Sequence, residues 1–203
     1  MAETTPPASN NTSEVTVKYQ DVNNIQASTV NLHYGYAAEI QADNVNVSQA
    51  GVNHIDAQTV ELRQGGAQMV QGSTVIVRQG GIIQAKSQDL SIIQGGLVFA
   101  DANAANVTAS AVGAMLVSGN VTLEQSMAKA VVARGDVVMD QSGSAVVIGN
   151  NIQTGSNSGT ILMIAGRVNG PVNAVFSPAA SAAFGAAFAL MFGLILWIRQ
   201  QSR

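Results

Sequence analysis

Cysteine is absent from the 203 residues, so a disulfide framework, a thiol nucleophile and a zinc–thiolate site are all excluded. Charge is scarce as well. Asp, Glu, Lys and Arg together make up 10% of the chain, against about 25% in an ordinary soluble domain. With 9 Lys+Arg against 12 Asp+Glu, the formal net charge is −3, which leaves no basic field for nucleic acid. Aromatic residues amount to 4%, too few for a conventional globular core. What the chain does have is 47% hydrophobic residues and 20 glycines. Low charge beside high apolar content is the reverse of a disordered composition. A thin, repetitive core is the expectation.

Composition divides the chain unevenly. Residues 1–11, MAETTPPASNN, have no apolar periodicity and read as a disordered tail, with neither the basic start nor the apolar stretch of a signal peptide. Residues 12–176 are repetitive, 177–198 are apolar, and 199–203 form a short basic tail.

The repeat has a period of fifteen when lines are started at Thr12. Position four of successive lines holds Val15, Val30, Val45, Val60, Val75 and Leu90. Position six holds Val17, Leu32, Val47, Leu62, Val77 and Ile92, and position fourteen Ile25, Ile40, Ile55, Val70, Ala85 and Ala100. Position one is always small: Thr12, Ala27, Ala42, Ala57, Gly72, Ser87. Ala105 continues position four, Val121 and Val137 follow at spacings of sixteen, and Ile152 returns to fifteen.

These V-x-V alternations with glycine-rich breaks are strand and turn chemistry, and fifteen residues are too few for a helical repeat. They predict an all-β, single-stranded β-solenoid (β-helix) of about ten coils, each 15–16 residues long. Stacked at about 4.8 Å per coil, it would make a rod on the order of 48 Å long. Positions four, six, eleven and fourteen should point inward, with the small position one at a corner.

Gln64-Gly65-Gly66, Gln79-Gly80-Gly81 and Gln94-Gly95-Gly96 mark a second corner at positions eight to ten, preceded by Gln49-Ala50-Gly51. Glycine there would supply the positive φ of a tight turn. Gln49, Gln64, Gln79, Gln94, Gln125 and Gln141 would form a corner ladder of amides, as in cross-β stacks.

Ser177-Pro178 reads as a helix start. The next twenty residues, Ala179 to Ile198, carry no charge, the length needed to cross about 30 Å of hydrocarbon. Trp197 and then Arg199 and Arg203 suit an interface, so one C-terminal transmembrane α-helix is expected, with membrane lipid as partner. Ser181, Gly185, Ala189 and Gly193 form a small-residue stripe of the kind that packs membrane helices. The two arginines favour a cytoplasmic C-terminus and an external solenoid, whereas the lack of an export signal favours a cytoplasmic solenoid, the reading preferred here.

Constellations that could do chemistry are few. His33 and His54 fall at positions seven and thirteen and should not meet. Glu39 lies one coil before His54 in the same column. Glu124 and Asp140 should stack as like charges, and Arg63 and Arg78 share position seven. No calcium-loop motif occurs. An array of T-x-T, as on ice-binding solenoids, is broken at Thr59-x-Glu61 and Thr74-x-Ile76. No catalytic residue, metal ligand, cofactor or small-molecule substrate is expected, and no enzymatic activity.

With uniform V-x-V coils, few aromatics and a short Pro-containing N-terminal tail, residues 12–166 resemble the bactofilin-like, polymer-forming β-solenoid proteins. Those are scaffolds that stack end to end into filaments without a nucleotide. The chain differs from them in its shorter coils and in carrying its apolar segment at the C-terminal end. The resemblance implies a structural, self-associating homo-oligomer or polymer held at a membrane. Independently of it, solenoid ends expose strand edges and core, and end-to-end pairing or lateral bundling through the outward Ile76 and Ile93 would bury such surface. The alternatives are a cell-surface adhesin or ligand-binding spike and, third, a carbohydrate-active enzyme.

If the stripe packs helix on helix, Gly185→Leu with Gly193→Leu should reduce the oligomer size in detergent, measured by light scattering. An unchanged size would reject that role.

Overall fold

A computed structural model describes residues 14–171 and 173–174. The chain winds as an all-β parallel solenoid of about ten coils, with every strand pair parallel in one fourteen-stranded sheet. β1 (Glu14–Lys18) is short. β2 (Asp21–His33), β3 (Tyr36–Ser48), β4 (Gly51–Arg63), β5 (Gly66–Arg78), β6 (Gly81–Ile93) and β7 (Gly96–Thr108) run thirteen residues each. Two coils are then divided into β8 (Ala111–Val117) with β9 (Val121–Glu124), and β10 (Met127–Ala133) with β11 (Val137–Asp140). β12 (Gly143–Thr154), β13 (Gly159–Asn169) and the two-residue β14 (Asn173–Ala174) complete the stack.

The register is the period made physical. Val30 lies over Val45, Val45 over Val60, Val60 over Val75 and Val75 over Leu90. Positions four, six, eleven and fourteen all point inward, with Val30, Leu32, Ile40, Ile55, Leu62, Val70 and Leu123 essentially inaccessible. The core is therefore a few columns of β-branched, leucine and alanine side chains, with Met115 and Met139 among them. It needs no aromatic residue because no point in it lies far from backbone.

Each coil bends at three places. The ladder skips position twelve (Ala38 and Asn53) and position two (Asp43 and Gln58), and strands end at positions eight and nine. Position one lies inside the ladder rather than on a corner. Ala57 and Ala102 are buried there, immediately before the bend at position two. Small side chains fit because the wall turns inward at that point.

The sixteen-residue spacings are absorbed at the same bend. Ser118-Gly119-Asn120 and Arg134-Gly135-Asp136 each carry one residue more than the Asn103-Ala104 of the coil before. The insertions stack on one another. Gly135 N–H bonds to the Gly119 carbonyl at 3.0 Å, and Asp136 N–H to Asn120 Oδ1 at 2.9 Å. An extra residue is tolerated because its successor meets it in register.

At the position-eight corner the division of labour differs from the expectation. Positive φ falls on the residue before the glycines: Tyr19, Tyr34, Gln49, Gln64, Gln79, Gln94, Ala109, Gln125, Gln141 and Asn157 all lie near +50°. The following glycine serves close approach. A Cβ on Gly65 would stand 2.5 Å from the Ala50 carbonyl oxygen, and one on Gly95 2.7 Å from that of Gly80. The left-handed residue carries a side chain because that side chain reaches the next coil.

Gln79→Ala and Gln79→Gly both remove the amide, but only glycine relieves the left-handed conformation. The glycine variant should be the more stable by about 1 kcal/mol in urea denaturation followed by far-UV circular dichroism. Equal midpoints would show that the corner stores no strain.

Candidate functional site

The corner at positions eight to ten is the most regular outward feature. Nε2 of Gln49 donates to Oε1 of Gln64 at 2.9 Å, Gln64 to Gln79 at 3.1 Å, and Gln79 to Gln94 at 3.3 Å. All three amides point the same way along the axis. Ala109 stands in this column between Gln94 and Gln125, so the six glutamines are two groups rather than one run. At the N-terminal end of the column, Tyr19 and Tyr34 stack with ring centroids 4.8 Å apart and planes 2° from parallel. Shorter ladders join Gln26 to Gln41 at 2.9 Å, and Asn46 through Asn31 to Glu14.

Behind the corner, position nine changes from glycine to serine. Ser110, Ser126 and Ser142 are buried, as is Ser158. The N–H groups of Gly95, Ser110 and Ser126 donate to the hydroxyls of Ser110, Ser126 and Ser142 at 3.0, 3.2 and 3.1 Å. Each of these three hydroxyls donates in turn to the carbonyl two residues before it (Thr108, Glu124, Asp140) at 2.7 Å. This internal ladder went unread in the sequence, where serine at a turn is unremarkable. Its signal was a sixteen-residue spacing shared with the glutamines.

The remaining sequence candidates are scattered over the coil faces. His33 pairs in register with Ser48, and His54 with Glu39, on different sides of the coil. Glu124 and Asp140 are neighbours in register. Arg63 and Arg78 also stack, and Glu61 lies between them, 2.7 Å from Arg63 Nη2 and 3.8 Å from Arg78 Nε. The acid offsets a repulsion that the repeat would otherwise impose. Ile76 and Ile93 are half-buried. Among the described residues no group of three or more His, Asp or Glu is placed to hold a metal ion. The stripe of Ser181, Gly185, Ala189 and Gly193, and the whole expected span 177–198, lie outside the described residues. Within those residues no helix is long and apolar enough to cross a membrane.

Concavities are shallow and open to solvent. One follows the corner past Gln94, Ser110, Gln125, Met127 and Gln141, and another lies over Gln64, Gln79 and Gln94. The first is lined by amides and hydroxyls together with the apolar Ala109, Ala111 and Met127, the second by amides and backbone. The walls of these two can hold hydrogen bonds and carry no titratable side chain, whereas a third concavity, over Gln71 and Asn103, is lined by Lys86 and Asp101.

The chain matches no family model, no curated protein and no solved structure.

Ser126→Ala would leave the buried Ser110 N–H without its hydroxyl acceptor, at a cost of about 1–3 kcal/mol. The check is the denaturation midpoint against wild type, with the exposed Ser156→Ala as control. Equal loss in both variants would deny the internal ladder its role.

Proposed function

We propose that the protein is a non-enzymatic structural element, a membrane-anchored β-solenoid rod that self-associates as a scaffold in the manner of bactofilin-like proteins. The observation that carries this reading is the open end of the stack. Among the described residues β1 pairs only with β2, and Val15 and Val17 on it are half-buried where their counterparts from Val30 to Ile152 and from Leu32 to Thr154 are sealed; Val168, at the other end of the described stack, is exposed. An unpaired strand edge backed by partly covered core favours addition of another strand. The uniform coils and scattered ionisable groups support a structural role over catalysis. The twenty uncharged residues from Ala179 to Ile198 support the anchor.

The direction of the edge can be worked out. N–H groups at positions four and eight bond forward to the next coil, as Ala105 does to the Asn120 carbonyl and Tyr19 to that of His33. Donors alternate in direction along a parallel strand, so the Thr16 N–H at position five faces outward from β1.

Thr16→Pro should therefore spare the β1–β2 bonds while blocking association at the open edge. Electron microscopy of the full chain in lipid vesicles should show paired or arrayed rods for wild type and single rods for the variant, with unchanged circular dichroism. Isolated monomers in the wild type would defeat the scaffold reading.

A further inference from the structure

One face of the solenoid changes character partway along. Positions thirteen and fifteen point outward from the same wall. In the first coils they hold Asn24 and Gln26, Glu39 and Gln41, His54 and Asp56, Met69 and Gln71, Gln84 and Lys86, then Phe99 and Asp101. After Asp101 they become Ala114 and Leu116, Ala130 and Val132, Val146 and Ile148, Leu162 and Ile164. None of these eight side chains is sealed, and Leu116, Leu162 and Ile164 are 46%, 48% and 52% exposed. Four coils at about 4.8 Å give a flat apolar strip some 14 Å between its first and last rows. The opposite outward column stays polar through the same coils: Asn106, Thr122, Gln153 and Asn169, with Val138 the exception.

All the carboxylates of these coils, and two of the three cations, are placed unequally about the strip. Residues 111–171 carry Glu124, Lys129, Arg134, Asp136, Asp140 and Arg167. Lys129 at position twelve and Arg134 at position two stand exposed at the two borders of the strip, in a single coil. The three carboxylates lie on the wall of positions three to seven, which Arg167 at position three shares. An apolar surface bordered by cations, with acids turned away, is the pattern of side chains seated at a lipid interface. A second copy meeting the strip face to face would instead set the same cations at its rim against each other.

Chain continuity points the same way. β14 pairs over Gly159 and Thr160, at positions ten and eleven, one bend from the strip. Ala179, where the uncharged run begins, is five residues beyond Ala174 and within about 17 Å of it at full extension.

We infer that this strip is a membrane-contacting surface: the last four coils lie with Leu116, Val132, Ile148 and Ile164 against the headgroup–acyl boundary of an anionic bilayer. The inference rests on the anchored-rod reading and adds an orientation to it. The rod lies along the bilayer at its C-terminal half instead of standing clear of it.

The lack of cysteine makes the test direct. Leu116→Cys, Val132→Cys and Ile164→Cys on the strip, Thr122→Cys and Gln153→Cys on the opposite wall, and Leu194→Cys in the uncharged run are each labelled with an environment-sensitive fluorophore. The full chain is placed in phosphatidylcholine–phosphatidylglycerol vesicles containing nitroxide-labelled acyl chains. The strip probes should shift to the blue and be quenched by the lipid nitroxide, while probes at 122 and 153 stay aqueous. Strip probes that remain aqueous overturn the inference. Strip probes that are shielded but not quenched also overturn it, because a second copy or residues 178–198 then cover the strip. The Leu194 probe reads the anchor separately. If it is quenched while the strip is not, the orientation alone has failed; if it is not quenched, the anchor reading has failed.

Discussion

Parallel stacking puts each residue over its own counterpart about one strand spacing away, and the rest of the molecule follows from that repetition. A column that is apolar makes a continuous core, as Val30, Val45, Val60 and Val75 do. A column of amides satisfies itself from coil to coil, as Gln49 to Gln94 do. A column of like charges repels itself at every step. The low charge of the chain is therefore a condition of the architecture. Where Arg63 and Arg78 do stack, Glu61 stands between them.

The same constraint explains why changes come in groups. Once position nine becomes serine, each hydroxyl needs a backbone N–H from the coil before and supplies an acceptor to it, so serine persists through Ser110, Ser126, Ser142 and Ser158. Once the bend at position two gains a residue, the next coil gains one too. The apolar outer columns begin in these same coils. The solenoid thus has two halves built on one core: an N-terminal half with amide-rich walls and glycine corners, and a C-terminal half with serine corners and one apolar wall.

How much could be read from the chain depended on whether a residue has one physical use or two. Positions four, six, eleven and fourteen were legible because an apolar side chain recurring every fifteen residues has one place to go. The corner was legible in position but not in mechanism. Glycine can mean positive φ or close approach, and only the backbone distinguishes Gly65, crowded by the Ala50 carbonyl, from Gln64, which bears the positive φ. The apolar strip was hidden for a different reason. In residues 130–133 of one strand and 145–148 of another both faces are apolar, so the alternation that separates inside from outside is lost there. The sixteen-residue spacings had also shifted the columns by then.

The two ends of the rod are not equivalent, and this limits how copies can associate. If residues 178–198 hold the C-terminal end at a bilayer, the edge of β1 that is unpaired among the described residues is the end left for another chain. Among the described residues β13 is also unpaired beyond Thr160 on its far side, but with that end occupied at the bilayer one edge per chain cannot propagate head to tail. It closes instead as an isologous pair, with two β1 strands related by a two-fold axis and running antiparallel. Growth beyond a pair then requires lateral contact, and an anchored rod lying on a surface presents its polar walls sideways for it. Anchoring at one end therefore favours paired or sheet-like assemblies over the long single filaments that unanchored solenoids can form.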